Sequence, residues 1–202
     1  MLTKAEFAGR IKNACLAVIA AEHELTEIDA KFGDADHGFT MAKVCNAILA
    51  AIEESEGGIQ TLLDDAAMAV MAINCGSAVP LWNTWLDGMQ EGAEEVEEVD
   101  VAGIKAIFAR AFEELDEMSG AKVGDKTMMD ALIPATEAIA AYAGDSEAEL
   151  FTLAAAAAAA GAENSKNFPS KYGRAKSYGA KTIGTPDAGA MSMSCFFQGL
   201  AK

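Results

Sequence analysis

Basic residues are scarce in this 202-residue sequence. There are 15 lysines and arginines against 31 aspartates and glutamates, so the formal net charge is −16. Such a charge repels phosphate backbones and anionic lipids, which excludes nucleic acids and membrane surfaces as expected partners. Divalent cations are the natural complement, although a solvated acidic surface that aids solubility is the commoner meaning of this composition.

Paired cysteines and long apolar runs are also missing. The four cysteines are far apart and show no C-x-x-C spacing, so we predict buried, reduced thiols. The longest apolar run, residues 151–162, falls short of the roughly 20 residues that a membrane span needs. The first 25 residues are charged and lack a small-residue cleavage signal, so we expect no signal peptide. These features predict a cytoplasmic protein.

Strand-like alternation is almost absent, while apolar residues recur at steps of three and four nearly everywhere. This period predicts an all-α fold. Thr3 with Glu6, and Ser146 with Glu149, fit the capping-box pattern of helix starts. No linker rich in proline, glycine or serine divides the chain, so we expect one domain over residues 1–202. The predicted helices cover about residues 4–23, 39–54, 60–73, 81–92, 101–118, 126–143, 147–165 and 189–200.

A group of three acidic side chains lies between the first two predicted helices. Asp29, Asp34 and Asp36 fall within eight residues, and Gly33 and Gly38 leave the backbone free to bring them together. Magnesium prefers hard oxygen ligands and completes its shell with water and phosphate oxygens. Three carboxylates held close repel one another unless a cation compensates them. The spacing predicts a metal site, and a helix cap by Asp34 or Asp36 is the alternative.

The sequence has no G-x-x-x-x-G-K-[ST] motif, so phosphate binding requires another loop. Residues 75–80 (CGSAVP) join two apolar helices and offer N–H groups at a helix start, although an ordinary turn is the alternative. Residues 122–130 form a second glycine-led helix start, with Asp125 as its predicted N-cap. Met128 lines an adenine slot or belongs to the core.

The stretch from residue 167 to residue 189 predicts a long basic loop with several glycines. Loops of this length are usually functional or disordered. Arg174 in this loop is suited to a bidentate, charge-assisted contact with a polyphosphate, and a solvated surface arginine is the alternative.

Four stretches of the chain resemble the L subunit of dihydroxyacetone kinase. They occur in the same order as in that family and extend over nearly the whole sequence. The resemblance implies an eight-helix antiparallel up-and-down barrel with a nucleotide site at one end. The stretches are residues 25–41 (LTEIDAKFGDADHGFTM), 124–134 (GDKTMMDALIP), 173–184 (GRAKSYGAKTIG) and 186–193 (PDAGAMSM).

The resemblance also implies a set of site residues. In that family the aspartates matching Asp29, Asp34 and Asp36 chelate two magnesium ions, which bridge the phosphates of ADP or ATP. No covalent catalytic residue is expected. Nucleotide contacts are implied for His37, Gly38, Phe39, Thr40, Ser77, Ala78, Gly120, Met128, Arg174 and Asp187.

The implied activity is phosphoryl transfer from the magnesium-bound nucleotide to a ketose. Related ATP-dependent kinases join this domain to a ketose-binding K domain, whereas this chain resembles the multi-subunit type. In that type the ketose is held by a separate K subunit, and an M-type phosphoprotein of the phosphotransferase system recharges ADP in place. Dihydroxyacetone is the default ketose, and erythrulose is an alternative.

The chain departs from the family pattern at three places. Thr40 stands where asparagine is common, Ser77-Ala78-Val79-Pro80 stands where a run of glycines and serine ends in Ser-Gly-Pro, and Ala188 replaces a proline. These departures leave a second hypothesis open, a nucleotide-sensing regulatory subunit that binds a transcription regulator. A third hypothesis is a helical interaction domain with acidic helix caps.

Overall fold

The protein is helical apart from one pair of two-residue strands. None of its helices combines the length and the apolar composition that crossing a membrane requires. The structure is a computed structural model that describes residues 1–202. Strands β1 (Leu2–Thr3) and β2 (Glu98–Val99) pair antiparallel, and 3-10 segments at Ser165–Asn167 and Arg174–Thr182 follow α8. The α-helices are α1 (Lys4–Ala20), α2 (Glu22–Asp29), α3 (His37–Glu54), α4 (Ile59–Met71), α5 (Ala78–Glu91), α6 (Val101–Ser119), α7 (Met129–Ala141), α8 (Glu147–Asn164) and α9 (Ala188–Leu200).

Eight of the helices close into a ring. From α3 to α9 each helix packs against the next, α9 packs against α1, and α1 packs against α3. Most connections are short, and the ends of the long connection between α8 and α9 are bonded to each other, so ring neighbours are antiparallel and α3, α5, α7 and α9 all begin at one end. The predicted eight-helix antiparallel barrel is therefore confirmed. The predicted first helix, 4–23, is in fact interrupted near Ala21, and the added helix α2 lies outside the ring against α3 and α9.

Aromatic side chains fill the interior of the ring. Trp82 and Trp85 of α5 meet Phe108 of α6 and Phe196 and Phe197 of α9, with ring centroids 5.4–6.2 Å apart. All five side chains are essentially inaccessible to water. Each such ring removes roughly 150–250 Å² from solvent, so this cluster dominates the packing of the core. Because the interior is filled, the ends of the ring are the places where polar ligands have room.

One of the two predicted capping boxes forms completely. The Thr3 hydroxyl accepts the N–H of Glu6, and the Glu6 carboxylate accepts the N–H of Thr3 at 2.8 Å. At α8 the Ser146 hydroxyl accepts the N–H of Glu149 at 3.3 Å. The Glu149 carboxylate, however, accepts the hydroxyl of Tyr142 at 2.8 Å. Ser146 is thus the N-cap of α8, as predicted, but the reciprocal bond of the capping box does not form.

The start of α7 differs from the prediction. We expected a helix from about residue 126 with Asp125 as its N-cap, but α7 begins at Met129. Lys126 has a φ of 61°, which lies in the left-handed region and cannot belong to the helix. The Asp130 carboxylate, in the first turn, accepts the N–H of Thr127 at 2.8 Å. The prediction of Asp125 as the N-cap is wrong.

All four cysteines are free thiols, as predicted. Cys15 and Cys45 are buried in the core, whereas Cys75 and Cys195 are only half-buried. The prediction of buried thiols is therefore correct for two of them and wrong for the other two.

Candidate functional site

The three predicted metal ligands meet at the end of the ring where α3 begins. Asp29 is the last residue of α2, Asp36 immediately precedes α3, and their ligand oxygens and that of Asp34 all lie within 4.8 Å of one another. The loop between them is tight. A side chain at Gly33 would meet Asp29 Oδ1 at 2.0 Å, and Ala35 adopts a φ of 60°.

The carboxylates do not cap α3. Asp36 stands at the N-cap position, but its side chain accepts no capping bond, and Asp34 instead contacts Arg174. Partial burial and the charges of Asp34 and Asp29 raise the pKa of Asp36 above its ordinary value. A bound cation reverses such repulsion, and a donor set made only of carboxylate oxygens suits magnesium. The geometry therefore favours the metal interpretation over the cap.

His37 and Gly38 hold the first turn of α3 against its neighbours. His37 Nε2 lies 3.0 Å from Ser192 Oγ on α9. Burial lowers the pKa of His37, which keeps the imidazole neutral near pH 7. A side chain at Gly38 would meet the Glu22 carbonyl oxygen of α2 at 2.0 Å. Gly38 is consequently buried under α2, and any contact with a ligand is made by its backbone.

The connection between α4 and α5 lies directly against the acidic cluster. The buried Thr40 hydroxyl is 3.3 Å from Cys75 Sγ. Gly76 has a φ of 33°, and a side chain there would meet Thr40 Oγ1 at 2.8 Å and Asp36 Oδ2 at 3.4 Å. Cys75 and Gly76 belong to the loop of residues 75–80 that the sequence offers for phosphate binding, but neither was predicted as an individual contact. Their nearness to Asp36 depends on how two helices pack.

Ser77 occupies the N-cap position of α5, and Ala78 is its first residue. The Ser77 side chain makes no capping bond. The first turn of a helix offers N–H groups that have no intrahelical acceptor, and Pro80 lacks this group. Val79 is buried, so its branched side chain belongs to the core.

The predicted basic loop contains 3-10 turns and folds back at two points onto the loop that carries the acidic cluster. Arg174 Nη2 lies 2.7 Å from Asp34 Oδ2, and the Tyr178 ring lies 5.3 Å from that of Phe32. The Arg174 side chain is 73% exposed. An arginine in this position is free to contact a ligand on the carboxylates. Phe39, on the exposed face of α3, has the Lys43 ammonium 4.6 Å above its ring.

Met128 and Asp187 meet where α7 and α9 begin. A side chain at Gly189 would lie 3.0 Å from Asp187 Oδ2 and 3.3 Å from the Met128 nitrogen. Asp187 caps α9 by accepting the N–H of Ala190 at 2.8 Å, and burial raises its pKa to about 7. Met128 is itself buried. Gly120 ends α6 in the left-handed conformation, and no contact joins it to the other predicted residues.

Comparison with known proteins identifies relatives over most of the chain. The family model of the DAK2 domain matches residues 31–202. The D-erythrulose kinase of Mycolicibacterium smegmatis is 35% identical over 183 residues, which are 88% of this chain and 32% of that enzyme. The ADP-binding subunit DhaL of the PEP-dependent dihydroxyacetone kinase of Escherichia coli is 26% identical over 93% of this chain and 91% of the subunit.

Among solved structures, the dihydroxyacetone kinase from C. freundii in complex with AMP-PNP and Mg2+ superposes with a TM-score of 0.71. It is 25% identical and covers 98% of this chain and 33% of that kinase. The chain thus spans about a third of the length of the erythrulose kinases that it matches. With a family match over most of its residues and the same helical fold, the chain belongs to the DAK2 domain family.

Proposed function

We propose that this chain is the ADP- or ATP-binding L-type subunit of a ketose kinase, and that residues 1–202 form one nucleotide-binding domain. The observation that carries the proposal is the cluster of Asp29, Asp34 and Asp36, with its oxygens within 4.8 Å of one another. Membership of the DAK2 family adds the kinase class. The similarity to the E. coli ADP-binding subunit supports the L-type role.

The three aspartates would hold two magnesium ions. Bound magnesium would offset the negative charge on the transferred phosphoryl group. The chain's own groups position the phosphates. Arg174 offers a charge-assisted contact from the basic loop, and Ser77 offers its hydroxyl beside the N–H groups of α5. The bond from the Asp36 N–H to Asp29 Oδ2, at 3.2 Å, keeps two of the ligands in register.

We propose that the nucleotide lies against this cluster at the same end of the ring. Met128 would line the adenine side, since thioethers adapt to flat rings, and no covalent intermediate is required. The proposed set is His37, Gly38, Phe39, Thr40, Ser77, Ala78, Gly120, Met128, Arg174 and Asp187.

The proposed partners are two proteins. A separate K-type subunit would hold dihydroxyacetone, or erythrulose as the alternative, and an M-type phosphoprotein of the phosphotransferase system would recharge ADP in place. Both ketoses find support among the relatives, which include erythrulose kinases and PEP-dependent dihydroxyacetone kinase subunits. Four free cysteines favour a reducing compartment, so we place the assembly in the cytoplasm.

Calorimetric titration with Mg-ADP tests the nucleotide site. We expect a dissociation constant of about 1 μM or tighter for the wild type, which corresponds to about −8 kcal/mol. Asp36→Asn should weaken binding at least about tenfold because it removes a ligand from the cluster. Asp64→Asn, on the exposed face of α4, is the matched control and should bind like the wild type. Absence of heat with the wild type would instead support a helical interaction domain.

Reconstitution tests the catalytic role. Purified K subunit and either ketose are supplied with ATP or with the phosphorelay protein, and the donor that yields ketose phosphate identifies the cycle. Binding of Mg-ADP without product from either donor would favour the second hypothesis, a regulatory subunit that binds a transcription regulator. The observation that favours this hypothesis is the altered loop at the start of α5, where Ala78 and Val79 stand in a stretch that is glycine and serine in the family pattern.

A further inference from the structure

A basic segment joins α8 to α9. We call residues 166–186 the strap. Its 21 residues include five basic side chains and no acidic one, in a chain whose net charge is −16. The basic residues are Lys166, Lys171, Arg174, Lys176 and Lys181.

The two ends of the strap are bonded to each other. The N–H of Gly184 donates to the Lys166 carbonyl at 2.7 Å, and the N–H of Asp187 donates to Ser165 Oγ at 2.8 Å. The strap is therefore a closed loop. We call its joined ends, residues 165–166 and 184–187, the neck. The far side of the strap reaches the acidic cluster, where Arg174 contacts Asp34 at 2.7 Å.

Lys126 enters this neck from the connection between α6 and α7. Its side-chain nitrogen donates to the Ser165 carbonyl at 2.8 Å and also to the Thr185 carbonyl. Ser165 lies on one side of the neck and Thr185 on the other. Lysine is almost never fully buried unless it is paired, yet Lys126 is only 4% exposed. One buried ammonium thus joins both sides of the neck.

The backbone at Lys126 supports the same interpretation. Its φ of 61° is uncommon for a residue with a side chain and persists only where the surroundings enforce it. Burial lowers the pKa of Lys126, whereas the charges of Asp187 and Asp130 act to raise it. Lys126 therefore combines an unfavourable backbone conformation with a buried amine. Both features place its ammonium in the neck.

We propose that Lys126 is a positioning residue that clamps the neck of the strap and so fixes where Arg174 stands relative to the acidic cluster. The inference rests on the proposed function, because Arg174 and the cluster are its proposed nucleotide site. Without the ammonium, the carbonyls of Ser165 and Thr185 lose a donor and the neck loosens. Nucleotide binding must then order the strap, and the entropy of this ordering lowers the affinity.

Hydrogen exchange measured by NMR on the nucleotide-free protein tests the clamp directly. In Lys126→Met we expect amide exchange at Gly184 and Asp187 to rise at least about tenfold, while the amides of α1 and α6 keep their protection. The matched control is Lys122→Met in the same connection, whose exposed ammonium pairs with the half-buried Asp116 carboxylate at 2.7 Å. This control should leave the strap unchanged.

A double-mutant cycle tests the link to Arg174. Lys126→Met should weaken Mg-ADP binding about tenfold in the wild-type background and much less in the Arg174→Gln background, because its effect passes through that guanidinium. If Lys126 only supports the fold, the losses of Mg-ADP affinity in Lys126→Met and Arg174→Gln would add in the double variant.

Each outcome decides something. Wild-type exchange rates at the neck in Lys126→Met, or additive losses in the cycle, would overturn the proposal. If Lys126→Met does not fold, Ser165→Ala opens the neck from the other side by removing the acceptor of the Asp187 N–H. In that variant exchange is followed at Gly184, whose own acceptor is unchanged, and the cycle with Arg174→Gln is repeated. If the wild type binds no Mg-ADP, the proposed function fails, while the exchange experiment still tests the clamp.

Discussion

At the scale of single residues, Arg174 and a metal ion compete for the same carboxylate. The guanidinium lies 2.7 Å from Asp34 Oδ2, and the Arg174 side chain is 73% exposed and that of Asp34 34% exposed. An exposed pair of this kind contributes only about 0–1 kcal/mol, so a doubly charged ion can displace the arginine. The freed guanidinium would then be available to phosphate oxygens.

Arg174→Gln should therefore have opposite effects on two ligands. Without nucleotide, magnesium affinity should rise by up to about fivefold, because up to about 1 kcal/mol of competition is removed. The affinity for Mg-ADP should fall, since a contact between Arg174 and a phosphate is lost. Calorimetry with magnesium alone and with Mg-ADP measures both effects. Lys176→Gln, which removes a strap charge without an ion pair, is the control. Unchanged magnesium affinity in Arg174→Gln would contradict the competition.

Asp187 gives a pH dependence whose sign is fixed by its raised pKa. Burial raises the pKa of this carboxyl from 3.8 to about 7, so the folded state holds the proton more tightly than the unfolded state. The resulting stabilisation is complete below about pH 4 and is lost as the pH rises through about 7. Asp187→Asn lacks this loss. The free energy of unfolding of the variant relative to the wild type should therefore increase between pH 5 and pH 8. The expected increase is about 1–2 kcal/mol, because solvent screening makes it smaller than the full pKa difference implies.

Urea unfolding at several pH values measures this difference. Asp125→Asn is the control, because hydrogen bonds from Lys171 and from the Lys122 backbone lower the pKa of Asp125. Its stabilisation is present above the unfolded pKa and is lost only as the pH falls through the lowered value. The Asp125→Asn difference should stay constant from pH 5 to pH 8. A constant difference for Asp187→Asn as well would rule out the raised pKa.

At the scale of elements, glycines decide how closely helices approach. A methyl group at Gly161 of α8 would lie 2.0 Å from the Asp130 carbonyl oxygen of α7, whereas one at Gly9 of α1 would meet nothing within 4 Å. Gly161→Ala should destabilise the protein, because overpacking costs about 1–3 kcal/mol and exceeds the helix propensity gained. Gly9→Ala should stabilise it by about 0.5–1 kcal/mol. Urea midpoints that move in the same direction for both variants would contradict this account.

The helical pattern identified eight of the nine α-helices because each buries a stripe that recurs every three or four residues. It missed the break at Ala21 and the late start of α7, where single residues adopt backbone conformations that no periodicity reveals. The aspartate cluster was predictable because its members are neighbours in sequence. The contacts of Cys75 with Thr40, of Ser192 with His37 and of Lys126 with Ser165 were not predicted, since only the packing of distant segments brings these residues together.

At the scale of the whole molecule, charge is unevenly distributed. Five of the 15 basic residues belong to the strap, which lies against the end of the ring that carries the acidic cluster. Elsewhere acidic side chains dominate, so the strap offers local neutralisation where the proposed polyphosphate would lie. In the protein without nucleotide, the net charge of −16 opposes compaction.

Sodium and magnesium chloride at equal ionic strength should stabilise this protein to different extents. Raising the ionic strength from about 0.01 M to about 0.1 M shortens the Debye length from ~30 Å to ~10 Å, which weakens the repulsion among surface carboxylates and raises the melting temperature in either salt. Magnesium adds a second contribution, because an ion bound only to the folded state stabilises it by about 2.7 kcal/mol at a hundredfold excess over its dissociation constant. Asp36→Asn should keep the stabilisation by screening and lose the stabilisation by bound magnesium. Thermal melts followed by circular dichroism in the two salts separate these contributions. If the wild type melts at one temperature in both salts, the three carboxylates form no magnesium site in the absence of nucleotide, and the raised pKa of Asp36 reflects repulsion that no metal relieves.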